Sequence, residues 1–138
     1  MKKNLLLIAT MVFGLSAYSQ SATAPDSLTV EVSGLKKVEG SMLYVAIINA
    51  ESKEIGQYQS QVTSSTLSFK IASSGEEKLA LRMFQDLDGD NEMNRGMFGI
   101  PSEPYGFSNN PEIKFGPPSL KEMLFDTASA ETIKVSMQ

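Results

Sequence analysis

The chain contains no histidine and no cysteine. Those absences remove the commonest general base, the nitrogen and sulfur ligands of zinc sites, and the thiolate nucleophile. A serine triad cannot be assembled without its base, and no disulfide can form even in an oxidising compartment. The glycines form no phosphate-binding pattern leading into a helix. After the N-terminal segment no apolar run approaches the ~18 residues of a membrane-spanning helix. What remains for chemistry is oxygen, from sixteen Asp and Glu against twelve Lys and Arg.

At the N-terminus Lys2 and Lys3 precede the apolar run Leu5 to Phe13, and small residues Ala17 and Ser19 flank Tyr18. This pattern predicts a secretory signal peptide over 1–19 cleaved after Ser19, with cuts after Ala22 or Ala24 as alternatives. The apolar run is too short to span a bilayer, and without cysteine no lipid-anchored terminus follows. A linker over 20–26 and a single domain over 27–138 complete the expected organisation, with a periplasmic or extracellular destination. Removing Lys2 and Lys3 leaves a formal charge of about −6. Nucleic acid and anionic membrane surfaces, which require basic patches, are therefore poor partners.

Five segments alternate with period two: Leu28 to Ser33, Ser41 to Ala50, Thr66 to Ile71, Leu79 to Phe84 and Thr132 to Met137. The second is apolar on both faces, as in a central strand covered on both sides. A sixth, weaker strand is expected in Tyr58 to Val62. Helical spacing occurs once, where Ser119 and Glu122 form a capping box ahead of Leu120, Met123 and Leu124. Strands without intervening helices predict an all-β fold: an antiparallel β-sandwich of Greek-key, prealbumin- or immunoglobulin-like character with a short accessory helix.

The stretch from Asp86 to Pro118 holds five of the ten glycines and five of the six prolines. Loops of this length are uncommon in compact domains and are usually functional or disordered. Within it Asp86, Asp88, Asp90 and Asn94 fall at positions 1, 3, 5 and 9 of a calcium-loop template, and Glu92 would offer its backbone carbonyl at position 7. Asn91 stands where the template has glycine, and Met97 where it has a bidentate glutamate. The missing ligand would come from Glu103, Asp126 or backbone carbonyls. A bound Ca²⁺ would relieve repulsion of about 1 kcal/mol per carboxylate pair in water, and more if desolvated. A polar turn after the strand ending at Phe84 and a catalytic carboxylate site are the alternatives.

The same stretch carries Phe98, Ile100, Tyr105, Phe107 and Phe115. Tyr105 and Phe107 read either as a recognition platform for a sugar or peptide, or as staples holding the loop to the domain. Burying all five side chains would stabilise by roughly 7–15 kcal/mol, far less than ordering the whole stretch costs at ~1–2 kcal/mol per residue. Backbone hydrogen bonds or an ion should therefore contribute. Ser102, Ser108, Asn109 and Asn110 read as turn formers. Tyr44 and Tyr58 read as core or edge residues.

Taken in order, Asp86 to Asn94, then Phe98-Gly99-Ile100-Pro101-Ser102-Glu103-Pro104-Tyr105-Gly106-Phe107-Ser108-Asn109-Asn110, then Phe115-Gly116-Pro117-Pro118-Ser119, resemble the bacterial family called domain of unknown function 2141. Members read Asp-x-Asn-x-Asn-Gly-x-x-Asp in the acidic stretch, whereas this chain is more acidic early and ends it with Asn94. The resemblance implies a secreted or periplasmic β-sandwich and supplies no established activity. The expectation is a non-enzymatic exported module with a calcium-organised loop. The alternatives are a metal-free carrier or recognition module for a small molecule, carbohydrate or protein, and a hydrolase using Glu103 with an aspartate.

Overall fold

The computed structural model describes residues 25–138; the expected signal peptide and most of the linker lie outside the described residues. Two sheets form a sandwich. Strands β1 (Ser27–Ser33), β2 (Met42–Asn49), β3 (Glu54–Gln61), β4 (Thr66–Ala72) and β5 (Lys78–Asp86) follow one another, then come β6 (Tyr105–Phe107), helix α1 (Leu120–Met123), β7 (Phe125–Asp126) and β8 (Thr132–Ser136). One sheet has the order β4-β1-β8 and the other β3-β2-β5-β6, with β7 also paired to β5. Every pairing is antiparallel except that of β1 with β8, which brings the first and last strands side by side in parallel.

Alternation explains the layers. Leu28, Val30 and Val32 of β1, with Ile133 and Val135 of β8, meet Leu43, Val45 and Ile47 of β2 and Leu79, Leu81 and Met83 of β5 between the sheets. Each such side chain contributes about 1.5–3 kcal/mol on burial. Across the same interior Tyr58 of β3 stacks on Phe69 of β4 with ring centroids 3.9 Å apart. Strand β3 starts at Glu54, four residues before the expected one, because its Gln-rich sequence satisfies an edge strand without alternating hydrophobicity.

The second face of β2 is only partly covered, contrary to the expectation from its sequence. Its C-terminal end is closed by a small cluster of Ile48, Ala80, Phe107 and Met123, whereas Tyr44 and Ala46 remain half-exposed. Helix α1 is a single turn, and the Glu122 carboxylate accepts both the N–H and the hydroxyl of Ser119 at 2.7 Å. Those two bonds hold the Glu122 carboxyl below its ordinary pKa.

At one edge the sheets are joined through backbone. Tyr105 and Gln138 exchange N–H···O=C bonds of 3.2 and 2.8 Å, linking β6 to the tail that follows β8. Asn110 extends that edge by accepting the Ser136 N–H at 2.8 Å and donating to the Lys134 carbonyl at 2.9 Å.

Candidate metal centre in the β5–β6 connection

Strands β5 and β6 are antiparallel neighbours, so residues 87–104 form a long hairpin connection that must return to its starting point. The chain folds back on itself at an Arg95–Pro101 bridge, with Gly96 N–H bonded to Ile100 O at 2.8 Å and Ser102 N–H to Asn94 O at 2.9 Å. The return delivers Glu103 beside Asp86. One carboxylate oxygen each from Asp86, Asp88 and Glu103 lie within 4.8 Å of one another, and Asp86 and Glu103 are buried.

Backbone N–H groups orient these carboxylates. Asp86 Oδ1 accepts from Asp88 at 3.2 Å and Gly89 at 2.7 Å, and Oδ2 from Asn91 at 2.9 Å. Glu103 Oε1 accepts from Leu87 at 2.8 Å and Oε2 from Asn94 at 3.1 Å, clamping both ends of the acidic run. Asp88 accepts the Asp90 N–H at 3.2 Å and the Asn94 side-chain amide at 2.6 Å. Asn91, in the template's glycine position, adopts φ 63°. Asparagine tolerates that left-handed conformation better than other residues with a Cβ.

The residues expected to act together are thus divided. Asp86, Asp88 and Glu103 converge, and of the candidates for the missing ligand Glu103 is the one delivered. Asp126 sits in β7 opposite Lys78 and accepts the Ala128 N–H. Asp90 and Glu92 are exposed and outside the cluster, with Asp90 accepting the Glu92 N–H at 2.8 Å. Asn94 turns its amide nitrogen toward Asp88.

Burial pushes the Asp86 carboxyl up, but the N–H groups of Asn91 and Gly89, with the Asp88 contacts, outweigh it and hold its pKa below the ordinary 3.8. Asp88 goes the other way. The Asp90 N–H favours its carboxylate, yet desolvation, the Asp90 charge, the shared contact with Asp86 and the Glu103 charge together raise its pKa above 3.8. A raised folded pKa favours folding while the group is protonated, and that advantage is lost as pH rises through the folded value. In chelator at neutral pH, Asp88→Asn should therefore raise the melting temperature, with the gain vanishing below about pH 3.8. A lower melting temperature at pH 7 would mean that the Asp88 charge supports the loop.

The aromatic string also divides. Phe107 is buried and Tyr105 half-buried, in edge-to-face contact at 5.8 Å within β6. Phe98 and Phe115, by contrast, are 93% and 102% exposed, and Met97 and Ile100 also face solvent. Anchoring by aromatic burial is thus confined to Tyr105 and Phe107, and the backbone hydrogen bonds onto Asp86 and Glu103 carry the rest. Phe98 has φ 63° as well, a conformation costing an L-residue roughly 1–2 kcal/mol.

Two polar residues read as turn formers hold joints to α1, one buried and one exposed. The Ser108 hydroxyl accepts the Leu81 N–H at 2.9 Å and donates to Met123 O at 2.6 Å, tying β5 to α1. Asn109 donates to the carbonyls of Glu122 and Leu124. Tyr44 is not a passive core residue either, for its hydroxyl donates to Asn91 Oδ1 at 2.6 Å. The signal for it lay in β2, where Tyr44 falls on the face opposite Leu43 and Val45.

The family profile described as "Uncharacterized protein conserved in bacteria (DUF2141)" matches residues 30–134, from within β1 to within β8 and through the whole β5–β6 connection. The chain belongs to this family. That description names no activity, ligand or partner for DUF2141. No curated protein and no solved structure matches the chain. Among the described residues of this DUF2141 protein, no helix is long and apolar enough to cross a membrane.

Proposed function

We propose that this protein is a non-enzymatic exported binding module whose β5–β6 connection is organised by Ca²⁺. The observation that carries the reading is the convergence of Asp86, Asp88 and Glu103 to within 4.8 Å, two of them buried. An all-oxygen, carboxylate-rich donor set suits a hard cation, and the neighbouring carbonyls and water would complete six to eight ligands. The raised Asp88 pKa supports it: desolvation first, and then the Asp90 and Glu103 charges, disfavour its carboxylate, and a cation would offset both.

A hydrolytic role for Glu103 is disfavoured by the same geometry. Both of its oxygens are engaged by backbone N–H groups of Leu87 and Asn94, which leaves neither aimed at a substrate. Export follows from the N-terminal pattern of Lys2, Lys3 and the apolar run.

Calorimetric titration with Ca²⁺, paired with melts in calcium and in chelator, tests the reading. At ten times the dissociation constant the cation should stabilise by about 1.4 kcal/mol, and Asp88→Asn should lose most of that response. No heat and superimposable melts would leave the carboxylates as a purely structural turn.

A further inference from the structure

The outer face of the five-stranded sheet carries a groove of about 820 Å³, open to solvent on one side. That volume lies within the range of small-molecule sites. Strand register explains its shape. Gln59, Tyr44, Phe84 and Tyr105 form one rung across four strands, and Gln57, Ala46, Arg82 and Phe107 form the next. The small Ala46 leaves the floor low between its neighbours. Tyr44 and Phe84 stack on one another, with centroids 5.2 Å apart and ring planes only 19° from parallel, so they stand as a paired aromatic ridge on this face. Asn91, Met93 and Arg95 of the β5–β6 connection line the groove as well.

The charge of this groove runs against that of the molecule. Arg82 and Arg95 both line it in a chain of net negative charge. Among the described residues the one ion pair is Lys114–Glu112, so neither guanidinium has a carboxylate partner. Arg95 donates to the Gly99 carbonyl at 3.1 Å, and Arg82 makes no side-chain hydrogen bond. The single acid of the lining, Glu54, accepts the Gln57 amide at 2.5 Å.

We propose that this groove binds an acidic saccharide, a sugar ring bearing a carboxylate. The ring's apolar face would pack against the stacked pair of Tyr44 and Phe84, and its carboxylate would meet Arg82 and Arg95, since guanidinium matches carboxylate geometry. Gln57 and Gln59 supply amides for hydroxyl groups. A flat aromatic acid would leave one apolar face in water here, whereas a hydroxylated ring tolerates an open side. The floor and Arg82 belong to β2, β3 and β5, which hold together through the core without the cation, so Arg82 carries the test in chelator; Arg95, in the β5–β6 connection, adds to the same carboxylate contact.

The test is calorimetric titration of the purified protein, in chelator, with trigalacturonate, its neutral methyl ester, and benzoate. Trigalacturonate is expected to bind, the ester and benzoate at least tenfold more weakly, and Arg82→Gln to lose at least tenfold in affinity with an unchanged melting temperature. No binding of trigalacturonate in chelator overturns the proposal. So does equal binding of the ester, which would make the site blind to charge, or of benzoate, which would make it an aromatic-acid site. Unchanged affinity in Arg82→Gln would likewise place the ligand elsewhere. Calcium is absent throughout, so these outcomes are separate from those of the cation titration.

Discussion

Asp86→Ala should destabilise the protein by about 3 kcal/mol, read as a fall in the denaturation midpoint at unchanged m-value. Asp86 is 1% exposed at the end of β5, and its two oxygens satisfy the N–H groups of Asp88, Gly89 and Asn91. Alanine leaves three part-buried donors without their partner, in a turn whose outer side is open to water. Each such donor costs about 1–3 kcal/mol where burial is complete, and partial exposure of the turn brings the sum toward the lower end. Asp86→Asn should lose roughly half as much, since its carbonyl oxygen still accepts while its NH₂ faces a donor.

The pH dependence of that difference follows from the depressed Asp86 pKa. A carboxyl with a lowered folded pKa contributes stability that is present above its unfolded value of 3.8 and is lost as pH falls through the folded one. The gap between wild type and Asp86→Asn should therefore be full at pH 5–7 and should close on the acid side of 3.8. A gap that persists there would show that shape, not charge, holds the turn. Asp88 changes in the opposite sense over the same range, so the two variants together separate the anchoring carboxylate from the repelled one.

The parts of this molecule that the sequence disclosed are those governed by local spacing. Strands β1, β4 and β8 alternate apolar and polar side chains, because one face meets the core, and β2 and β5 keep that period on their core faces with apolar residues on the outer face as well. Strand β3 reads Glu-Ile-Gly-Gln-Tyr-Gln-Ser-Gln and hides its start, since an edge strand needs few apolar residues. The three residues of β6 and two of β7 are too short to carry a period at all. Their pairing with β5 is a long-range event, as is the parallel match of β1 with β8.

The same division holds at the site. The spacing of Asp86, Asp88 and Asp90 was legible because it is local, but choosing Glu103 over Asp126 required knowing that β6 returns beside β5. The outward residues Tyr44, Arg82 and Phe84 went unread as a surface because only the register of β2 with β5 aligns them.

That return of β6 is held by a contact one atom wide, and Gly106→Ala should cost about 2–3 kcal/mol. A Cβ on Gly106 would lie 2.8 Å from Val135 Cγ1, 3.0 Å from Met137 Sδ and 3.4 Å from the Ser136 carbonyl. The methionine sulfur ends a flexible chain and can move, whereas Val135 is stiff at χ1 and 1% exposed in the core. Relief must therefore come from separating β6 from β8, which strains the paired hydrogen bonds of Tyr105 and Gln138. A double-mutant cycle isolates the clash. Val135→Ala alone should lose about 1–2 kcal/mol of buried methyl contact, yet in that background Gly106→Ala should cost less than about 1 kcal/mol. Strict additivity would mean that the glycine serves backbone freedom and not close approach. Because Glu103 lies two residues before Tyr105, the same substitution should also weaken the calcium response, while Gly106→Ala with Val135→Ala restores it.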